Sequence, residues 1–231
     1  MTVIRVIDFE TTGIEPTEGA KVCEVGVCDA IINTRKVGMP HSWLCGVDVM
    51  PPQVRAVHHI PLAECADAAP FDPADMIYDN LAALAAHNAE FETKFFTTTL
   101  PVICTYKAAL RVWPDAPSHS NGALRYWLED AGKIALHHEL TQPAHRAGPD
   151  AYVTAHILLA LFDAGATVRD MITWTKEPRL LPTCPIGKFR GQPWSEVEVG
   201  FLGWMLRQPT MEVDLKWNAE REIARRQGGK A

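Results

Sequence analysis

Asp8 and Glu10 close an apolar, β-branched run, Val3-Ile-Arg-Val-Ile-Asp8-Phe-Glu10-Thr11-Thr12-Gly13. In an extended chain residues two apart share a face, so both carboxylates leave one side of a single strand. Two carboxylates held together at the rim of a core repel each other and are costly to desolvate. A divalent cation resolves that conflict; the plainer alternative is a strand end with two solvated acids. Thr11, Thr12 and Gly13 follow with hydroxyls, free backbone amides and a residue able to turn sharply.

Two later segments add matching chemistry. In Ala86-His87-Asn88-Ala-Glu90-Phe-Glu92, an apolar strand runs into a pattern read as a helix from Asn88 to Thr98. Asn88 is placed to cap it, and Glu92 falls in its first turns. Such caps and acids also serve helix stability alone. In His145-Arg-Ala-Gly-Pro149-Asp150, the proline suits a first helical position and Asp150 the first turn of a long apolar helix over about 149–164. The helix dipole favours the ionised carboxylate that a metal ligand requires. His145 lies just upstream in a loop, where an imidazole titrating near neutrality can take a proton from water. Taken singly, Asp150 is also a helix-start acid and His145 a surface histidine.

These residues need elements to bring them together. Strand patterns cover residues 3–8, about 21–33 and about 36–47, with connections short enough for an antiparallel meander. Pro51-Pro52 ends it, and a short helical piece runs through His58 and His59. Helix and strand then alternate: a helix near 73–82, a strand at 83–86, the helix from Asn88, a strand at 101–104, and helices near 105–112, 120–131 and 149–164. The expected fold is α/β, a mixed sheet flanked by helices. Residues 176–186 hold three prolines and read as a linker, so residues 1–175 form one domain and 187–231 a small C-terminal module.

Composition narrows the class. An apolar content of 47% and a charged content of 22% suit an ordinary globular protein. No run approaches the roughly 18 apolar residues of a membrane span, and no N-terminal leader pattern precedes the first strand, so a cytoplasmic protein with no membrane partner is expected. Six scattered cysteines without a Cys-x-x-Cys pair argue for reduced thiols rather than zinc or disulfides. The net charge of −6 does not exclude nucleic acid, because a metal-dependent nuclease carries acids that its ions neutralise. The charge is uneven: residues 177–231 carry nine Lys/Arg against seven Asp/Glu. There, Lys188 and Arg190 are candidate phosphate contacts or parts of a solvated hairpin. Arg221, Arg225, Arg226 and Lys230 could hold a strand or form a solvated helix face. Glu24 reads as an inward acid near the candidate metals.

In combination, Asp-x-Glu ending a first strand, His-Asn-Ala-x-Phe-acid in mid-chain, and His-x-x-x-x-Asp opening a late helix resemble the DnaQ-like DEDDh 3′→5′ exonucleases over about residues 3–165. The resemblance implies an RNase H-like fold and a two-metal hydrolysis releasing 5′-mononucleotides from DNA 3′ ends, single- or double-stranded. It implies that Asp8, Glu10 and Asp150 ligate two divalent cations, Mg²⁺ or Mn²⁺, and that Glu92 stands where the family has an aspartate holding the second ion through water. Glu92 is one methylene longer than that aspartate; the spacing from His87 assigns the acid to it and not to Glu90. His145 becomes the general base. Thr11, Thr12, Gly13 and Asn88 face the substrate. His58 matches a substrate-adjacent histidine, or is a packed helix-end residue. An exoribonuclease of the same family stays open, as does a catalytically weakened nucleic-acid-binding or polymerase-associated module, although no motif indicates polymerase association.

Overall fold

The computed structural model describes residues 2–228, so Lys230 lies outside the described residues. At its centre β1 (Val3–Thr11) runs antiparallel to β2 (Val22–Ile31). The far edge of β2 pairs with β3 (Lys36–Val37) and β4 (His41–Leu44). On the other side, β5 (Leu81–Ala86) and β6 (Val102–Cys104) add in parallel, giving the order β3-β2-β1-β5-β6 with β4 beside β2. The helices are α1 (Pro52–His58), α2 (Leu62–Cys65), α3 (Thr105–Val112), α4 (Asn121–Asp130), α5 (Ala147–Asp163), α6 (Val168–Lys176), α7 (Val199–Arg207) and α8 (Val213–Arg226). This is the expected mixed sheet flanked by helices. Among the described residues, no single helix is long and apolar enough to cross a membrane.

The alternation of β1 places the chemistry. Ile4 and Val6 pack into the core that holds α3, α4 and α5, while Ile7 and Phe9 point into a second core with Val25, Leu84 and Phe96. Asp8 and Glu10 continue the even-numbered series, so they emerge on the α5 face. On β2 their partners are Gly26 opposite Asp8 and Glu24 opposite Glu10. A Cβ built at Gly26 would stand 2.0 Å from the carbonyl carbon and oxygen of Ala147. The glycine therefore lets the first turn of α5 lie directly on the sheet.

Several expected elements differ. The helix expected over 73–82 is a 3-10 turn, Pro73–Met76. The helix expected from Asn88 to Thr98 is also reduced to a 3-10 turn, Glu92–Lys94. Asn88 does not cap it: the residue is left-handed, φ 72°, and redirects the chain. The β-branched run Thr97-Thr98-Thr99 has poor helix propensity and does not extend the turn. The strand expected over 36–47 breaks at Gly38-Met39-Pro40. Helix α6 was not anticipated, although Thr167 and Asp170 form a capping box at its start. Because α5 begins at Ala147, Pro149 is the third helical residue; its missing N–H is still one that no helical carbonyl would satisfy.

A separate apolar cluster, including Cys184, Phe189, Trp194, Leu202, Met205 and Leu215, organises residues beyond the prolines. The stretch read as a linker is tied down at both ends. Lys107 Nζ donates to the carbonyls of Thr175 and Glu177, and Arg111 pairs with the Glu177 carboxylate at 2.8 Å. On the module side, the Arg179 amide donates to Asp214 and the Leu181 amide to Asn218. All six cysteines are buried free thiols.

Candidate active site

Oxygens of Asp8, Glu10 and Asp150 lie within 4.8 Å of one another, although Asp150 is separated from the others by some 140 residues of chain. The convergence is built by α5. Glu24, almost fully buried, accepts from Arg146 Nε at 2.9 Å, Arg146 Nη2 at 2.8 Å and the Ala147 amide at 3.0 Å. A strand side chain thus supplies the cap that Arg146, the residue preceding α5, cannot make for itself. Asp150 then stands one turn into the helix, over the even face of β1. Its Oδ2 accepts the His145 amide at 3.1 Å, which fixes the His145 backbone in a left-handed conformation, φ 58°.

The cluster is electrostatically unfavourable without cations. Burial raises the Asp8 pKa well above the ordinary carboxylate range, and the charges of Asp150, Glu92, Glu10 and Glu24 push it the same way. Glu10 is raised to about 8 by burial, then by Asp150 and Glu24; Arg146 opposes this but is engaged with Glu24. Asp150 is also raised by burial, despite the nearby His145 and its amide. The expected helix-start stabilisation of its ionised form is therefore outweighed.

Glu92 is 3% exposed, and burial raises its pKa to about 8. Its Oε2 has no hydrogen-bond partner. It stands outside the trio that shares the 4.8 Å limit, yet close enough for its charge to act on Asp8 and Glu10. An orphaned buried carboxylate oxygen beside three crowded carboxylates, all oxygen donors, suits hard divalent cations of the Mg²⁺ or Mn²⁺ type.

The remaining candidates fall in different places. Thr12 is not free to meet a substrate through its amide, because that amide donates to Lys21 O at 2.9 Å while its hydroxyl accepts from Lys21 N. Thr11 Oγ1 donates to Gly13 O at 2.6 Å. Gly13 does not adopt a positive φ; instead it approaches Ala20, whose Cβ would be 3.2 Å from an added Cβ. His58 is 2% exposed, accepts the Ile60 amide at 3.0 Å through Nδ1 and is held neutral by burial. It is packed at the helix end, with Nε2 4.0 Å from Cys23 Sγ. Asn88 is exposed, close to the cluster's edge along the chain. Lys188 and Arg190 are exposed in the C-terminal module, Lys188 pairing with Glu198 at 3.0 Å.

Four residues that matter to the geometry were not singled out from sequence as site builders: Gly26, His87, Asn121 and Arg146. His87, its pKa lowered to about 4 by burial, is neutral. Its Nε2 must donate to His119 O at 2.8 Å, which leaves Nδ1 to accept from Thr105 at 2.9 Å. Asn121 Nδ2 donates to Asp150 O at 3.2 Å and to Thr154 Oγ1 at 3.0 Å. The end of β5, the start of α4 and the first turn of α5 are thereby tied together. His87 carried a sequence signal as the first position of the His-Asn-Ala-x-Phe-acid motif, and Arg146 an indirect one through Glu24, since a buried acid requires a cationic or amide partner.

Comparison with known proteins places the chain in a family. Residues 6–158 match the Exonuclease family model. Exodeoxyribonuclease 10 of Escherichia coli K12 is 32% identical over 228 residues, covering 93% of this chain and 97% of the relative. The solved structure of exonuclease X in complex with 5′-overhanging duplex DNA superposes with a TM-score of 0.60 at 31% identity, covering 74% of this chain and 99% of that one. The cell-death related nuclease CRN-4, at 15% identity and a TM-score of 0.53, shares the fold over 78% of this chain and 72% of its own. With the family matched over most of its length and a relative aligned nearly end to end, the chain belongs to the exonuclease family and is a nuclease-type hydrolase.

Proposed function

We propose that this protein is a divalent-cation-dependent 3′→5′ exodeoxyribonuclease. The observation that carries the reading is the convergence of Asp8, Glu10 and Asp150 oxygens within 4.8 Å, in a pocket where the charges acting on Asp8 are all negative. DNA is the substrate favoured by the near-complete alignment with exodeoxyribonuclease 10 and by the DNA-bound exonuclease X structure. Polarity follows from the resemblance of the acid-and-histidine order to the DEDDh exonucleases.

Asp8, Glu10 and Asp150 would hold the cations, with Glu92 behind them as a buried acceptor. Bound there, two divalent cations supply the positive charge that activates a water and stabilises both the attacking and leaving oxygens of an in-line displacement. His145 takes the proton of the attacking water on a ring nitrogen. The water oxygen bonds to the terminal phosphorus, and the bond from phosphorus to O3′ of the preceding nucleotide breaks. O3′ takes a proton from solvent, and a 5′-mononucleotide leaves. The hydrogen bond from the His145 backbone N–H to Asp150 Oδ2 holds the base beside the ligand it serves. Thr11 and Gly13 shape the backbone next to Glu10, and Asn88 borders the substrate.

The test is cleavage of a 5′-labelled DNA oligomer in Mg²⁺. The expected product is a ladder shortened stepwise from the 3′ end, stopped by EDTA and lost in Asp8→Ala and His145→Ala. A strand left intact by the wild-type protein, or an RNA strand degraded in preference, would overturn the assignment.

A further inference from the structure

Beyond the acidic cluster lies a cleft of 510 Å³, lined by Asn88, Tyr106, His119, Ser120, Asn121 and Arg179 among others. Its near wall adjoins the proposed chemistry, because Asn121 is hydrogen-bonded to the carbonyl of Asp150. Its far wall comes from the strap between exonuclease body and C-terminal module, beyond residues 6–158 matched by the family model. Among the described residues, Arg179 is the cleft's one Lys or Arg, and no Asp or Glu lines it. In a molecule of net charge −6, the cleft wall thus presents a guanidinium, paired from behind with Asp214, and no carboxylate.

Arg179 is held in place. Its backbone amide and Nε both engage Asp214, and its carbonyl accepts from Asn218 Nδ2 at 2.7 Å. One residue pair upstream, Lys107 and Arg111 fix Glu177. Burial works against its charge, but the Asp214 and Tyr106 contacts outweigh that and raise its pKa. With Nε committed to Asp214 and Tyr106 also against the guanidinium, the remaining N–H groups of Arg179 can meet one phosphate oxygen. Tyr106 and His119 offer ring faces for a base or sugar, Tyr106 standing edge-on to His87 at 5.8 Å.

We propose that this cleft seats a substrate-strand nucleotide neighbouring the one removed, with Arg179 contacting its phosphodiester. The inference rests on the exonuclease reading and adds to it a role for the strap and, through Asp214 and Asn218, for the C-terminal module. Arg179 would act on strand affinity and not on the chemical step.

The experiment compares wild type with Arg179→Met and Arg179→Lys, using a single-stranded DNA oligomer bound in EDTA over a salt series and then cleaved in Mg²⁺. For Arg179→Met the slope of log Kd against log salt should flatten by about 0.7, one single-strand phosphate contact. KM should rise about tenfold with kcat within about twofold, and Arg179→Lys should recover most of the slope. Ser120→Asp, exposed at the N-cap position of α4 where the serine side chain makes no cap bond, places an anion in the cleft without touching the strap and should also raise KM. A wild-type slope and KM in Arg179→Met, or an unchanged KM in Ser120→Asp, overturns the inference while leaving the exonuclease reading intact. A wild-type protein that neither binds nor cuts the oligomer overturns both.

Discussion

Glu10 and Glu92 are each raised to about 8 by burial, and Asp8 and Asp150 are raised as well. A carboxyl group whose folded pKa exceeds its unfolded value stabilises the fold while protonated, and that contribution is lost as pH rises through the folded pKa. Metal-free protein should therefore lose thermal stability as pH rises from about 4.5 toward 8, opposite to the usual behaviour of paired carboxylates. Mg²⁺ should raise Tm strongly above pH 8 and little at pH 5, where protons compete for the same oxygens. Calorimetry with EDTA or Mg²⁺ across this range checks it; a metal-free Tm that climbs with pH would show the cluster is not as crowded as its geometry implies. Asp8→Asn should abolish cleavage and reduce the loss of metal-free Tm with rising pH, because it removes one titrating carboxyl of the crowded cluster together with a cation donor. The acids were readable from sequence because their types and order suffice to mark them. The state of the Thr12 amide was not, and the two readings of His58 stayed open, since both depend on tertiary partners, Lys21 in one case and the Ile60 turn in the other.

At the scale of elements, the site is a problem of seating one helix end. Helix α5 reaches the sheet only where Gly26 offers no Cβ, and it stays there because Glu24 caps it through Arg146 and Ala147. Gly26→Ala places a methyl into the Ala147 carbonyl, so α5 must lift away from β2. We expect a loss of about 1–3 kcal/mol in unfolding free energy and a larger loss of cleavage than stability alone explains, read by urea unfolding beside a kcat measurement. Glu24→Gln keeps the shape but leaves the Arg146 guanidinium without its counter-charge, costing about 2–3 kcal/mol. It should also weaken Mg²⁺ binding by misplacing Asp150. An unchanged Mg²⁺ affinity in that variant would mean that Asp150 is positioned without the cap. Strands β1 and β2 were legible because their β-branched apolar runs mark strands directly. The segment from Asn88 to Thr98 was not, because its helix-favouring Ala-Glu-Phe-Glu core is overridden by a left-handed Asn88 and a threonine run. Helix α6 escaped although its Thr167–Asp170 signature was present, since its apolar positions are few and short in span.

At the scale of the molecule, the exonuclease body and the C-terminal module are joined by a hydrogen-bonded strap rather than a free tether. Prolines in residues 176–186 suggested a linker because composition reports stiffness and breaks, not what the backbone bonds to. Asn218 is the node on the module side: 2% exposed, it accepts from the Leu181 amide at 3.1 Å and donates to the carbonyls of Arg179 and Asp214, each at 2.7 Å. Asn218→Leu leaves those three backbone groups without a side-chain partner at a cost on the order of 3 kcal/mol. The effect should stay local, because the module packs around an apolar cluster of its own. Hydrogen exchange should quicken over residues 179–226 while β1, β2 and α5 keep their protection, and Mg²⁺ binding should be unaltered. Exchange that quickens equally through β1 and β2 would mean that module and exonuclease body unfold as one cooperative unit, with the strap as a structural member of both.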